Sequence, residues 1–186
     1  MQKGIRIIST ILTVMVVVLS CIMLCKNIFF FDILVIGDSM LSTLKEGEMG
    51  FATKDNFITN VNRGDIIIFE KDDRAIIKRV IAKENDHIRI TNEGIYINEE
   101  LLVEEYVSSE NLNYSFIENS KFNDVILKEN EYFVLGDNRL VSYDSRYYGP
   151  ITEDMITGKL KLITSYGSAN EEDYLFNRKI IPFRFY

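Results

Sequence analysis

The chain opens with one long apolar segment and continues as short apolar runs separated by turn residues. The long segment covers residues 7–25 (IISTILTVMVVVLSCIMLC) and carries no charge. Nineteen helical residues rise about 28 Å, close to the thickness of the hydrocarbon core of a bilayer. Lys3 and Arg6 precede the segment. The positive-inside rule therefore predicts a single-pass membrane protein, with residues 1–6 in the cytoplasm, an anchor at 7–25 and the remainder on the extracytoplasmic side.

A cleaved signal peptide is the alternative interpretation of this segment. Its apolar core would span about 7–15 residues, and a small-x-small cleavage site would follow it. No Ala-x-Ala pattern follows residue 25, and VLSC (18–21) resembles a lipoprotein cleavage site poorly because of its leucine. The pattern favours an uncleaved anchor.

The later apolar runs are four to eight residues long, which is typical of strands. Asn-Glu-Gly (92–94) between two alternating runs predicts a hairpin. Residues 99–128 are acidic and poorly periodic, which indicates a looser segment that is partly loop. We predict a mostly β domain over 28–186, with 83–130 as a smaller inserted hairpin and loop region. The predicted strands are 29–36, 65–69, 75–82, 87–91, 95–98, 131–136 and 159–164.

Charge and cysteine content disfavour several classes of function. Residues 27–186 hold 18 basic and 28 acidic side chains, a formal charge of −10. This charge disfavours nucleic acid as a partner, because such a partner needs a basic face. Both cysteines, Cys21 and Cys25, lie in the anchor, so the predicted domain has no disulfide and no cysteine nucleophile. With one histidine and no H-E-x-x-H motif, we predict no metal and no cofactor.

Lys78 and Ser39 carry the candidate chemistry. Lys78 stands among Ile and Val in AIIKRVIA (75–82), and burial favours a neutral amine that can act as a general base. Ser39 follows Gly-Asp after an apolar run, where backbone N–H groups could form an oxyanion hole. The pair predicts a Ser–Lys hydrolase. A lysine that extends its amine to solvent and an ordinary turn serine are the structural alternatives.

Four segments along the chain carry a family resemblance. They are GDSMLSTL (37–44), RGDIIIF (63–69), IIKRVIA (76–82) and GDNRLVSYDSRYYG (136–149). In this order they resemble the type I signal peptidases, specifically the short Gram-positive kind with one N-terminal anchor. The resemblance implies a β fold of short antiparallel strands, related to that of self-cleaving repressors. It also implies a membrane-bound serine endopeptidase that removes signal peptides from exported preproteins with small residues at the third and first positions before the cut.

The resemblance also implies a role for individual residues. Ser39 matches the nucleophile, whose own N–H supplies an oxyanion contact, and Lys78 matches the general base. Three residues match the shell that orients the lysine and stabilises the loop at 136–149, here named the late loop: Ser142, Asp144 and Arg146. Five apolar residues that flank the dyad are implied to form the walls of the substrate pockets: Val35, Met40, Leu44, Ile76 and Ile77.

Some positions depart from the family pattern. Gly37 stands where some members carry a hydroxyl donor, and Ser42 stands where proline is usual. Leu140 and Val141 stand where polar residues are usual. The segment 82–86 stands where the family commonly has a glycine followed by a Pro-Gly-Asp turn. These departures leave open a second function, a specialised or non-catalytic assembly factor for surface-polymer (pilin-type) subunits. A cytosolic self-cleaving regulator is disfavoured by the anchor and the acidic domain.

Overall fold

An apolar N-terminal helix leads directly into a β domain. The computed structural model describes residues 2–108, 121–166 and 184–185. Helix α1 spans Gln2–Phe29, and its stretch from Lys3 to Phe29 is long and apolar enough to cross a membrane. It extends beyond the predicted 7–25 at both ends, because basic residues such as Lys26 are good helix formers and favour the last turn. The membrane boundaries at 7 and 25 stay predictions.

The described residues contain twelve strands in two antiparallel sheets. They are β1 (Phe30–Leu34), β2 (Glu48–Lys54), β3 (Ile66–Lys71), β4 (Arg74–Ala82), β5 (His87–Thr91), β6 (Gly94–Ile97), β7 (Glu100–Leu101), β8 (Asp124–Ile126), β9 (Glu131–Leu135), β10 (Ile151–Thr152), β11 (Ile156–Tyr166) and β12 (Arg184–Phe185). The large sheet has the order β1-β2-β11-β3-β4-β9-β10, with β12 beside β11. The small sheet has the order β7-β6-β5-β8. A short helix, α2 (Ser145–Tyr148), follows β9.

The mostly β fold is confirmed, and each of the seven predicted strands is present. The predicted hairpin is confirmed as well, since Thr91 pairs with Gly94. Strand β2 was not predicted, because Gly50 and the polar residues at both ends of the strand interrupt its alternating pattern. Pairing with β1 and β11 holds this strand in place. Strands β7 and β8, of two and three residues, lie within 99–128 and were not predicted individually. Residues 109–120 lie outside the described residues, and the interpretation of 99–128 as partly loop stays a prediction.

Isoleucine-rich runs form the core between the sheets. Ile66–Phe69 of β3 are buried in succession, because both faces of the large sheet are covered there. Strand β5 alternates instead, with Ile88 and Ile90 facing inward. These two residues pack with Phe133 and other side chains of β9 and β4. The small sheet is thereby joined to the large one by a shared apolar cluster.

Two strand edges face each other across a groove of about 420 Å³. Strand β4 pairs with β9 only from Arg79 onward, so its first half, 74–78, has no partner on that side among the described strands. Strand β1 lies at the end of the large sheet and borders the same groove. Because four antiparallel pairings separate them, β1 and β4 run in the same direction.

Buried bidentate ion pairs hold the loops at one end of the large sheet. Asp137 is fully buried after β9 and accepts from Arg79 Nε (2.9 Å) and Nη2 (2.6 Å). Removing one partner of such a pair leaves an uncompensated buried charge. The other bidentate pairs seen in the described part of the chain with both partners buried are Arg146–Asp144 and Arg139–Glu104.

Substituting Asp137 by alanine should lower the free energy of unfolding by about 3–5 kcal/mol, since Arg79 would keep its charge in a buried site. Denaturant unfolding of the detergent-solubilised protein measures the loss. The matched control is Asp32→Ala, which breaks the exposed pair with Lys26 and should cost less than about 1 kcal/mol. Equal losses in the two variants would contradict the buried role of the Arg79 pair.

Candidate active site

Ser39 and Lys78 meet at the end of the groove. Lys78 Nζ donates a hydrogen bond of 2.6 Å to Ser39 Oγ and another of 3.0 Å to the carbonyl oxygen of Ile77. Lys78 is 4% exposed, in the half of β4 that borders the groove, while Ser39 is half-buried in the turn after β1. The structure therefore brings together two residues that are 39 positions apart.

The turn that carries Ser39 is anchored on both sides. Gly37 has a φ of 80°, a left-handed conformation that favours glycine over a hydroxyl-bearing residue. Met40 and Leu44 are fully buried, and the Leu44 N–H donates to the Met40 carbonyl (2.8 Å). The Ser39 N–H has no acceptor within the described ranges, so it is available to an oxygen atom of a ligand.

The loop after β9 packs directly on this turn. The Asn138 N–H donates to the Ser39 carbonyl (3.0 Å), and Asn138 Nδ2 donates to the Asp38 carbonyl (3.1 Å). A Cβ atom at Gly136 would collide with the Ser39 carbonyl and with the Ser142 side chain. Only glycine permits this approach, which places the late loop against the Ser39 turn.

Burial sets the protonation of Lys78. Desolvation lowers the pKa of its amine from 10.5 to about 8, against the opposing charges of Asp144 and Asp137. Arg146 adds to the lowering of the pKa. Both carboxylates are held by arginines rather than by the lysine. A substantial fraction of the amine is therefore neutral in mildly alkaline solution.

The three residues expected around the lysine lie together in the late loop. Asp144 accepts from Arg146 Nε (2.8 Å) and Nη2 (2.9 Å), and also from the Gly136 N–H (3.1 Å). Arg146 donates to the Ser142 carbonyl (3.1 Å). The Ser142 hydroxyl is buried and has no hydrogen-bond partner among the described residues.

Comparison with known proteins assigns the chain to a family. The family described as "Signal peptidase, peptidase S26" matches residues 6–165. This chain belongs to the signal peptidase I family. The resemblance inferred from the four sequence segments is thereby confirmed, and membership supports a serine peptidase that acts in the removal of signal peptides.

Several signal peptidases are similar over most of their length. "Signal peptidase I" of Bacillus amyloliquefaciens is 34% identical over 155 residues, which cover 80% of each chain. "Signal peptidase I T" of Bacillus subtilis (strain 168) is 37% identical over 150 residues, 76% of this chain and 77% of that one. A crystal structure of a signal peptidase I from Enterococcus faecalis V583 covers 54% of this chain and 97% of its own, with 32% identity and a TM-score of 0.47.

The residues expected to form the walls of the substrate pockets fall into two groups. Ile76 and Ile77 line the groove. Val35, Met40 and Leu44 are 2%, 0% and 0% exposed and lie in the core. Val35 turns inward because alternate positions of an extended chain face opposite sides. The part that each residue plays in selecting a substrate stays a prediction.

Sequence reasoning missed several contacts around the dyad. It assigned no individual role to Asp137 or Asn138, whereas Asp137 pairs with Arg79 and Asn138 bonds to the Ser39 turn. Thr43 accepts a hydrogen bond of 3.2 Å from Arg79. The available signal was Arg79 itself, a cation in an apolar strand that cannot lose its proton and therefore needs a buried acceptor.

Substituting Lys78 by methionine should raise the free energy of unfolding at pH 7. The folded state lowers the pKa of Lys78, so keeping the ammonium buried costs stability at every pH below about 8, and this cost disappears as the pH rises to 10.5. The gain over the unsubstituted protein should therefore shrink between pH 8 and 10.5 in denaturant titrations. A gain that does not change with pH would show that packing, and not charge burial, causes it.

Proposed function

We propose that this signal peptidase cleaves exported preproteins by acyl transfer, with Ser39 as the nucleophile and Lys78 as the general base. The observation that carries the proposal is the 2.6 Å contact between Lys78 Nζ and Ser39 Oγ. The lowered pKa of the buried amine supports it, since a general base must lose its proton near the working pH. The relatives give no support to the alternative, a non-catalytic assembly factor.

The proposed reaction has two steps. Neutral Lys78 accepts the proton of Ser39 Oγ as that oxygen attacks the scissile carbonyl carbon. The Ser39 N–H donates to the oxyanion that forms. Lys78 then returns the proton to the leaving amine, and the signal peptide remains as an ester of Ser39. Lys78 next takes a proton from a water molecule as the water attacks the ester. It then gives that proton to Ser39 Oγ as the bond to the signal peptide breaks, which frees the serine.

We propose that the late loop keeps the Lys78 amine oriented toward Ser39 Oγ. The buried Ser142 hydroxyl lies against the same glycine, Gly136, that contacts the Ser39 carbonyl. We assign Ser142 the role of orienting Lys78 when the amine moves during proton transfer. The Asp144–Arg146 pair braces this loop through the Gly136 N–H and the Ser142 carbonyl.

The groove between β1 and β4 suits an extended preprotein segment. Its two walls are parallel strand edges, so a chain laid between them would add a strand and satisfy both edges. Ile76 and Ile77 form part of the wall, and the Ser39 turn stands at the end of β1. Ile33 and Ile68 also line the groove and pack in one cluster with the buried Met40 and Leu44, which would limit the depth of the groove. This limit favours small side chains at the third and first positions before the cut.

The membrane helix would bring the groove to its substrates. Strand β1 follows α1 without a linker, so the groove begins close to the end of the helix. Lys3 and Arg6 precede the apolar segment and favour a cytoplasmic N-terminus, which places the β domain on the other side of the bilayer. A preprotein whose own apolar segment is still in the membrane would then present its cleavage site close to the groove.

Cleavage of a preprotein with an Ala-x-Ala site, by the full-length protein in detergent or lipid, tests the dyad. Ser39→Ala and Lys78→Ala should each lower kcat at least about 1,000-fold, because each removes a group that bonds to or exchanges protons with the reacting atoms. Thr59→Ala and Lys128→Ala change exposed residues of the same kinds and should cleave normally. Undiminished cleavage by Ser39→Ala would contradict the assignment of Ser39 as the nucleophile.

The pH dependence of cleavage tests the role of the lysine. Because only the neutral amine acts as a base, kcat/KM should rise about tenfold per pH unit in acid solution and level off above an apparent pKa of about 8. The substrate should carry no ionisable group within the groove. A profile that is flat between pH 6 and 9 would exclude the titration of Lys78 from the catalytic step.

A further inference from the structure

The turn after the nucleophile has a conformation that proline cannot adopt. Ser42 has a φ of 82°, whereas proline is fixed near −65°. The Ser42 hydroxyl donates a hydrogen bond of 2.9 Å to the carbonyl oxygen of Tyr106, 64 positions away. A residue other than glycine is uncommon in this region, so a tertiary contact must compensate for the strain.

The segment that Ser42 contacts, Glu104–Val107, is here named the brace. The Tyr106 ring covers the guanidinium of Arg79, whose Cζ lies 3.9 Å from the ring centroid, and its hydroxyl donates to Glu104 (2.6 Å). Glu104 in turn forms the buried bidentate pair with Arg139 of the late loop. The brace therefore contacts the Ser39 turn, the strand of Lys78 and the late loop.

We propose that Ser42 and the brace position the catalytic dyad, by holding the Ser39 turn in register with Lys78. The proposal rests on the function proposed above for Ser39 and Lys78. In the family pattern a proline stiffens this turn locally; here the serine hydroxyl ties it to a segment of the inserted region. Arg79 is the neighbour of Lys78 on β4, and Arg139 is the neighbour of Asn138, which holds the Ser39 carbonyl.

Positioning predicts a particular kinetic signature. A looser Ser39 turn would spend less time at hydrogen-bond distance from the amine, which slows the chemical step. The groove walls belong to β1 and β4, so binding of the substrate would change little. Variants of Ser42 and of the brace should therefore lower kcat and leave KM nearly constant.

Two substitutions at Ser42 separate the hydrogen bond from the backbone strain. Ser42→Ala removes the hydroxyl and keeps the strain, while Ser42→Gly removes both. Each should lower kcat about fivefold, the worth of one net hydrogen bond, with KM within about twofold. The melting temperature of Ser42→Gly should be no lower than that of Ser42→Ala. Full activity of Ser42→Gly would overturn the proposal, because the hydroxyl would then do nothing.

The brace itself is tested with two tyrosines in similar settings. Tyr106→Ala removes the ring over Arg79 and the bond to Glu104, but it keeps the backbone carbonyl that Ser42 contacts. It should lower kcat, and combining it with Ser42→Ala should lower kcat by less than the product of the two effects, because both changes loosen the same segment. Tyr96 also covers an arginine, Arg89, and donates to a glutamate, Glu93, but it lies in the small sheet. Tyr96→Ala should keep full kcat. Independent, multiplicative effects of Ser42→Ala and Tyr106→Ala would contradict the brace.

Ser42→Pro gives a measurement that does not depend on activity. Proline is the usual family residue, yet at this φ it should lower the melting temperature by several degrees, below that of Ser42→Ala. An unchanged or higher melting temperature would overturn the proposal. If the unsubstituted protein shows no cleavage that depends on Ser39, the proposed function fails, and the melting temperatures still decide whether Ser42 and the brace hold the turn.

Discussion

The structure depends on keeping two buried carboxylates away from a buried lysine. Asp137 and Asp144 both raise the pKa of Lys78. Arg79 donates two hydrogen bonds to Asp137, and Arg146 donates two to Asp144. An arginine keeps its charge in any setting, so it neutralises a buried carboxylate permanently. Desolvation then dominates at the lysine, and its pKa falls. The arginines therefore provide the electrostatic setting in which an amine can be a base.

The same pairs fix the geometry of the groove and the dyad. Strand β9 ends at Leu135, and Asp137 follows it. Asp137 pairs with Arg79, the first residue of β4 that pairs with β9. The sheet therefore opens where the late loop begins. Residues 74–78 have no partner on that side among the described strands, and Lys78 lies at the end of this stretch. One strand serves both as part of the core and as a wall of the groove. The brace extends this arrangement to the turn of Ser39.

Much of the fold could be predicted, because its signals are local. Apolar runs marked seven strands, Asn-Glu-Gly marked a hairpin, and a charge-free run marked the helix. Strand β2 could not be found this way, since it exists through its pairing with β1 and β11 and not through its own pattern. The short strands β7 and β8 were missed for the same reason. Val35 and Met40 were expected at a pocket wall, yet only the packing of the core shows where their side chains lie.

The sequence by itself determined the kinds of residues available for chemistry. A lysine in an apolar strand and a serine after a Gly-Asp turn are local facts, and motifs in a fixed order indicate the family. Tertiary structure alone decided that Lys78 Nζ lies 2.6 Å from Ser39 Oγ and that Arg79 pairs with Asp137. It also decided that Ser42 reaches Tyr106. Such contacts join residues 39 to 64 positions apart. The energies of the Lys78 and Arg79 contacts depend on burial, which exists only once the chain has folded.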